Sequence, residues 1–252
     1  MKTYIVTKLH AAAIARGVFV FALAFTFNAA VARADETCSS PYMARIEGQE
    51  EFVYVWTLGV EGLGDGADKL VTVDAKPGSP TYGKVVNSVS VDGRNEAHHG
   101  GFTDDRRQLW LAGLENSRIF IFDVYTDPAK PKLLKTIDNF AETTGGAAGP
   151  HGAYALPGRV LIPCLSNAKD KGGKTALVEY GNDGNYIATH WLPTKEDAHG
   201  AADAQFADGY GYDARVLPRK NALLTSSFTG WKNYTRDFGS LTADPEAMKH
   251  FG

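Results

Sequence analysis

Short apolar segments alternate with clusters of turn-forming residues along most of the chain. The stretch "DKLVTVDAKPGSPTYGKVVNSV" contains an apolar run, a cluster of Pro and Gly, and a second apolar run. The stretch "SRIFIFDVYTDPAKPKLLKTI" repeats this order, and Asp123 follows its first run as Asp74 does 49 residues earlier. Apolar runs of this length that are bounded by turn residues predict β-hairpins.

A third unit and part of a fourth follow the same pattern. The stretch "KTALVEYGNDGNYIATHWL" carries Glu179 near the place of the two aspartates, with Asn182, Asp183 and Gly184 for its turn. A further strand precedes the second and third hairpins, as "RQLWLAGL" and "RVLIPCL", and "NALLTSSF" is its equivalent in a fourth unit. Helical periodicity first occurs in "TADPEAMKHF", where the Asp-Pro pair predicts the start of a short helix.

Units of three or four strands that recur about every 50 residues are typical of the blades of a β-propeller. We therefore predict an all-β fold in which residues 35–252 form a partial β-propeller domain of roughly four blades. A β-sandwich is the alternative architecture, and the repeat disfavours it. The composition, with 44% hydrophobic and 22% charged residues and 27 glycines, suits a globular protein with many turns.

The first 34 residues differ in kind from the rest of the chain. Three basic residues flank or precede an apolar run over residues 18–27, and Ala32-Arg33-Ala34 supplies a small-x-small cleavage site. This pattern predicts a secretory signal peptide over residues 1–34 that is cleaved after Ala34, and hence a periplasmic protein in a bacterium. The apolar run is too short to span a bilayer comfortably, so we expect no membrane attachment after cleavage.

Charge and cysteine content narrow the possible partners. Removal of the four basic residues of the signal leaves 22 basic and 29 acidic residues, a formal charge of −7, which disfavours nucleic acid and anionic membranes as partners. Cys38 and Cys164 can pair in an oxidising compartment, and the sequence leaves that pairing open. The apolar stretch "RVLIPCL" predicts that Cys164 is a small buried side chain.

Two histidines recur at the same place in consecutive units. His99 begins "HGGF" ahead of "RQLWLAGL", and His151 begins "HGAY" ahead of "RVLIPCL". Because the innermost strands of a propeller surround a central channel, equivalent positions on them converge, and two imidazoles can meet there. Imidazole is a ligand for copper, zinc, iron and nickel, so the pattern indicates a metal site. The alternative is that both are hydrogen-bonded turn residues without a ligand.

The neighbouring histidine, His98, is harder to assign. Successive side chains of a strand point to opposite faces, so only one of His98 and His99 is expected to face the channel. The repeat favours His99, and His98 joins it only if the backbone is irregular there. His190, His199 and His250 have no repeat partner, and we expect them to be solvated or hydrogen-bonded.

Four stretches carry a family resemblance: "DKLVTVDAKPGSPTYGKVV", "EAHHGGF", "SRIFIFDVYTDPAKPKLLKTI" and "GYGYDARVLPRKNALLTSSFTGW". From about Cys38 onward the chain resembles the selenium-binding protein and methanethiol oxidase family. The resemblance implies a seven-bladed propeller. For exported bacterial members it also implies a copper enzyme that converts methanethiol, O2 and water to formaldehyde, hydrogen sulfide and hydrogen peroxide. Its implied copper ligands here are His98, His99 and His151.

The chain departs from the family pattern at three points. Family members often have a second histidine where this chain has Tyr154, and the selenium-linked cysteine of animal members falls near Thr57. Family chains are also much longer. We therefore expect this chain to be a fragment that is inactive alone and self-associates through uncovered strands, giving a possible homo-oligomer.

The implied chemistry is binding of a small thiol as thiolate at copper, followed by electron transfer to O2. The sequence does not identify the residue that removes a proton from the methyl carbon. Tyr154, Glu96 and Asp213 are candidates by their proximity to the motifs, with turn or surface roles as the default. The alternative function is a non-enzymatic propeller that binds selenium, a metal or a protein. A hydrolytic propeller is less favoured, because calcium prefers oxygen ligands to paired histidines.

Overall fold

The computed structural model describes residues 40–194, 208–228, 233 and 236–248. These residues belong to one of two units of the chain, Ser39–Gly252. Their regular secondary structure is mainly antiparallel strands, as the alternation of apolar and turn-forming segments predicts. The expected signal peptide and Cys38 lie outside the described residues.

The strands form four antiparallel sheets that follow one another along the chain. The first sheet contains β1 (Phe52–Thr57), β2 (Lys69–Asp74) and β3 (Val85–Ser90). The second contains β4 (Ala97–Phe102), β5 (Gln108–Gly113), β6 (Arg118–Asp123) and β7 (Lys132–Ile137). The third contains β8 (Ala147–Pro150), β9 (Tyr154–Leu156), β10 (Arg159–Asn167), β11 (Ala176–Gly181) and β12 (Tyr186–Trp191). The fourth is the hairpin of β13 (Ala214–Leu217) and β14 (Ala222–Thr225).

Strands that are consecutive in sequence are neighbours within each sheet, except that β8 and β9 both pair with β10 and not with each other. The orders are β1-β2-β3 and β4-β5-β6-β7, and in the third sheet β12-β11-β10, with β8 and β9 both paired to the remaining edge of β10. This up-and-down order in successive sheets matches the blades predicted from the repeat. The histidine motifs therefore lie on the first strands of the second and third sheets.

The two central strands of the second sheet, β5 and β6, are buried on both faces, and β6 shows this most clearly. Ile119 and Ile121 pack into a cluster with residues of the third sheet, such as Val178. Phe120 and Phe122, which point the other way, pack into a cluster with Leu70 of the first sheet. Each fully buried side chain of this size contributes about 1.5–3 kcal/mol, so burial of alternate residues holds adjacent sheets together.

The aspartates that end β2 and β6 stabilise the turns that follow. Asp123 accepts hydrogen bonds from the backbone N–H groups of Tyr125 at 2.8 Å and Thr126 at 3.0 Å. Asp74 accepts one from the backbone N–H of Lys76 at 2.9 Å. These bonds are the reason that Asp recurs at the ends of the apolar runs.

Glu179 does not take the corresponding role in the third sheet. The strand β11 continues to Gly181, and the turn is stabilised by Asp183, which accepts from the backbone N–H of Asn185 at 2.9 Å. Glu179 lies within the strand, where its carboxylate contacts Arg159 on β10 and His190 on β12, each at 2.9 Å. A residue inside a strand faces its cross-strand neighbours rather than the turn, which explains the difference.

Helices are short and few among the described residues. They are α1 (Phe140–Thr143), α2 (Phe238–Thr242) and α3 (Pro245–Met248). The predicted helix start is confirmed, because Asp244 accepts hydrogen bonds from the backbone N–H groups of Glu246 and Ala247. In the described parts of the chain, no helix has the length and apolar character needed to cross a membrane.

Candidate metal centre

His151 lies at a break in the first strand of the third sheet, between β8 and β9. Pro150 pairs with Cys164 on one side of the break, and Tyr154 pairs with Leu161 on the other. The segment that carries His151 therefore advances four positions, from Pro150 to Tyr154, while β10 advances three. This segment thus contains one extra residue. The His151 backbone N–H still donates to the carbonyl of Pro163 at 2.8 Å. A bulge of this kind redirects a side chain without ending the sheet.

The second sheet has a matching irregularity at His98 and His99. Ala97 pairs with Gly113 and Gly100 pairs with Leu111, so β4 advances three positions while β5 advances two. The extra residue interrupts the alternation of side chains, and both imidazoles reach His151. The backbone is therefore irregular at His98, which is the condition under which this residue is expected to join the cluster.

The small residues after each histidine allow the two strands to approach closely. A Cβ atom on Gly101 would lie 2.1 Å from the carbonyl oxygen of Ala153, a separation that real atoms do not tolerate. A Cβ atom on Gly152 would lie 3.5 Å from the Cβ of His99. Glycine is thus required at position 101 for the sheets to bring His99 next to His151.

The three imidazoles form one compact cluster. Their ring centroids are separated by 4.6 Å for His98 and His99, 4.9 Å for His98 and His151, and 4.7 Å for His99 and His151. One ligand atom from each residue lies within 4.8 Å of the others. His151 is buried, His98 is half-buried and His99 is exposed, so the cluster is closed on one side and open on the other.

The buried ring nitrogen of His151 supports a ligand in this cluster. Its Nε2 atom is inaccessible to solvent and has no hydrogen-bond partner among the residues that the structure describes. A buried nitrogen without a partner is costly, and coordination of a metal ion removes that cost. Three imidazoles with one such nitrogen therefore fit a metal ion.

The surroundings of His98 and His151 favour their neutral forms. Burial, followed by the neighbouring His99 and His98, lowers the pKa of His151 to about 4. Burial and then His99 also lower the pKa of His98. The charge of Asp213 raises the pKa of His151 in part, and the charge of Arg215 lowers it further. Neutral imidazole is the form that binds metals, so these two ligands are available at neutral pH.

Aromatic residues that flank the fourth sheet lie next to His151. The ring of Tyr212 lies 4.1 Å from that of His151, centroid to centroid, with the planes tilted by 43°. The ring of Phe228, which follows β14, lies 5.2 Å from the ring of Tyr212, centroid to centroid. Tyr212 was not among the residues that the sequence singled out.

The strand pairing reveals a sequence signal that identifies Tyr212. His151 precedes Tyr154 by three residues, and Tyr154 pairs across its hairpin with the second strand of the third sheet. Tyr212 likewise precedes Arg215 by three residues, and Arg215 pairs with Leu224 in the fourth sheet. The stretch "YDAR" is therefore the fourth-sheet equivalent of "HGAY", with tyrosine in the place of histidine.

The three candidates for proton removal have different environments. Tyr154 is buried, and its hydroxyl accepts a hydrogen bond from the backbone N–H of Val216 at 3.4 Å. Glu96 has a positive φ of 59° next to the bulge. Asp213 pairs with Arg215 at 2.7 Å, and its charge acts on His151. The charge of Asp213 raises the pKa of His151, which links this carboxylate to the cluster, and the assignment of a base stays a prediction.

The remaining histidines and cysteines lie apart from this cluster or outside the described residues. His190 is hydrogen-bonded to Glu179 on an exposed outer strand, as expected. Cys164 is a free, fully buried thiol, and burial raises its pKa. His199, His250 and Cys38 lie outside the described residues, and Cys164 has a free thiol rather than a disulfide.

Comparison with known proteins agrees with the resemblance seen in the motifs. The family described as 56kDa selenium binding protein (SBP56) matches residues 32–247. A methanethiol oxidase of Ruegeria pomeroyi is 62% identical over 243 residues, which cover 95% of this chain and 54% of the relative. A methanethiol oxidase of Hyphomicrobium is 55% identical over 220 residues, covering 87% of this chain and 48% of the relative. The chain thus spans about half the length of these relatives.

A solved structure supports the architecture. The selenium-binding protein of Sulfolobus tokodaii superimposes with a TM-score of 0.60 at 22% identity, over 78% of this chain and 44% of that one. Together with the order of the sheets, this similarity confirms the all-β propeller fold. The match over residues 32–247 shows that the chain belongs to the 56 kDa selenium-binding protein family.

Proposed function

We propose that this chain carries a copper site of a methanethiol oxidase, formed by His98, His99 and His151. The proposed reaction converts methanethiol, O2 and water to formaldehyde, hydrogen sulfide and hydrogen peroxide. The observation that carries the proposal is the meeting of three imidazoles within 4.8 Å, one of them with a buried, unpartnered Nε2 atom. The two bacterial relatives named methanethiol oxidase support the choice of substrate.

The donor set suits copper. Imidazole nitrogens bind copper well, and the lowered pKa values of His98 and His151 leave these donors unprotonated at neutral pH. Bound copper supplies one-electron redox chemistry with O2 and an acceptor for a soft thiolate sulfur. The family resemblance favours copper over the other metals that imidazoles bind.

The surroundings of the cluster suit a small thiol. The exposed side, at His99, gives access from solvent, whereas His151 is buried and packs against the ring of Tyr212, which Phe228 contacts in turn. An aromatic wall excludes water and offers an apolar contact for a methyl group. Asp213 is the best supported of the predicted proton acceptors, because its charge already acts on His151.

Copper loading tests the metal site. The purified chain is loaded with copper, desalted and analysed for copper per polypeptide, alongside a His99→Ala, His151→Ala double variant. His190→Ala is the matched control, because His190 is an exposed histidine hydrogen-bonded to Glu179. We expect copper in the wild type and the control and loss of it in the double variant. Equal copper in all three proteins would overturn the proposed site.

Oxidase activity is tested separately on the loaded protein. Methanethiol consumption and hydrogen peroxide formation are followed together, because the reaction produces one peroxide for each thiol consumed. Matched rates that the double histidine substitution abolishes would support the oxidase function. Because we expect this chain to be inactive alone, copper binding without methanethiol consumption by the chain would agree with that expectation. The same result for a full-length protein that contains this chain would support the alternative, a non-enzymatic metal-binding propeller.

We also propose that residues 1–34 direct export and are removed after Ala34, which places the protein in the periplasm. The basic residues, the short apolar run and the Ala32-Arg33-Ala34 site support this proposal. N-terminal sequencing of the exported protein is expected to begin at Asp35. Retention of Met1 in that material would contradict cleavage.

A further inference from the structure

His151 lacks the interaction that usually orients a metal-binding histidine. Such a histidine normally donates its second ring N–H to a carboxylate, a carbonyl or water, which fixes the plane of the ring. Within the described ranges, the buried Nε2 atom of His151 has no hydrogen-bond partner, and the bond to Pro163 involves only the backbone N–H. The contacts that the structure shows for this imidazole are with neighbouring rings, so packing is the interaction available to orient it.

Tyr212 supplies the packing surface. Its ring lies 4.1 Å from that of His151, closer than the rings of His98 and His99 at 4.9 and 4.7 Å. Tyr212 is itself held in place, because its backbone N–H donates to the carbonyl of Ser226 at 2.8 Å and extends the pairing of β13 with β14. Phe228 lies 5.2 Å from the ring of Tyr212 and supports it.

We propose that Tyr212 is a positioning residue that orients His151 as a metal ligand through ring packing, in place of a hydrogen bond. The inference rests on the proposed copper site. Tyr212 occupies the place in the fourth sheet that His99 and His151 occupy in the second and third sheets, which is why its ring meets the cluster. Its hydroxyl group has no hydrogen-bond partner in the described part of the chain, so the ring and not the hydroxyl carries the effect.

Three variants of the full chain separate these roles. Tyr212→Phe keeps the ring, Tyr212→Leu removes it, and Tyr82→Leu is the control, because Tyr82 is an exposed tyrosine in the first sheet's turn. Copper(II) affinity is measured by competition with a chelator, and the copper environment by electron paramagnetic resonance. We expect Tyr212→Leu to weaken binding about 10–100-fold and to change the spectrum. Tyr212→Phe and Tyr82→Leu should match the wild type.

A measurement on the metal-free protein keeps this inference separate from the proposed function. The ring current of Tyr212 should shift the ring-proton NMR signals of His151, and the shift should be lost in Tyr212→Leu but kept in Tyr212→Phe. A wild type that binds no copper would overturn the proposed function, and the NMR shifts would still decide whether Tyr212 orients the ring. Unchanged shifts, or unchanged copper affinity and spectrum in Tyr212→Leu, would overturn the inference.

Loss of folding is a separate risk for Tyr212→Leu, and circular dichroism melting of each metal-free variant detects it. If that variant does not fold, Phe228→Leu takes its place, because it removes only the ring that supports Tyr212. We expect Phe228→Leu to weaken copper binding and to change the NMR shifts of His151 in the same direction as Tyr212→Leu, but by less. No change in either would again overturn the inference.

Discussion

Acidification should destabilise the metal-free chain through His151. Its pKa is lowered from 6.5 to about 4, with burial as the largest cause and the neighbouring histidines next. Between these two pH values the unfolded chain binds a proton at this residue and the folded chain does not. The contribution of neutral His151 to the free energy of unfolding is therefore fully present above pH 6.5 and is lost progressively as the pH falls towards 4.

The size of the effect follows from the two pKa values. For a single site, lowering the pH from 7 to 4.5 reduces the free energy of unfolding by about 2 kcal/mol. His151 is only 3% exposed, so solvent screening reduces this value little. With a urea dependence of about 2 kcal/mol per molar, the loss corresponds to a decrease of about 1 M in the midpoint.

Urea unfolding at several pH values measures this loss. The metal-free wild type is compared with His151→Gln, whose amide does not titrate, and with His190→Gln, which removes an exposed histidine. We expect the midpoint of His151→Gln to depend less on pH than that of the wild type, by about 1 M of urea between pH 7 and 4.5. His98 titrates in the same direction, so His151→Gln should retain part of the dependence.

Identical pH dependence in the wild type and His151→Gln would refute the reasoning. It would mean that His151 has the same pKa in the folded and unfolded chains, and hence that it is not buried beside two other imidazoles.

Three further predictions concern the packing around the site. Gly101→Ala places a Cβ against the carbonyl of Ala153, so it should lower the melting temperature, and an unchanged calorimetric transition would contradict the close approach of the sheets. Trp110→Ala empties a fully buried position and should cost about 3–5 kcal/mol in urea unfolding. Cys164 should react with a thiol reagent only after denaturation, because burial raises its pKa, and labelling of the native protein would contradict this.

The strand pattern shows how far local sequence information extends. The apolar runs and turn clusters placed β2, β6 and β11 correctly, and the recurring aspartates at positions 74 and 123 marked real turns. These features depend on alternation and on hydrogen bonds between residues two or three apart. Nearby residues therefore suffice to predict them. The prediction that Glu179 corresponds to these two aspartates was wrong, because its partners lie on neighbouring strands rather than in a turn.

The sequence by itself also determined that His99 and His151 are equivalent, because a repeat places equivalent residues at equivalent points of successive sheets. Only the tertiary structure decided that His98 joins them and that Tyr212 packs against His151. The first depends on a bulge, which exists only in the register of β4 against β5. The second depends on contact between sheets whose strands are about 60 residues apart in the chain. Register and contacts between sheets are set by packing across the whole domain, and no local pattern encodes them.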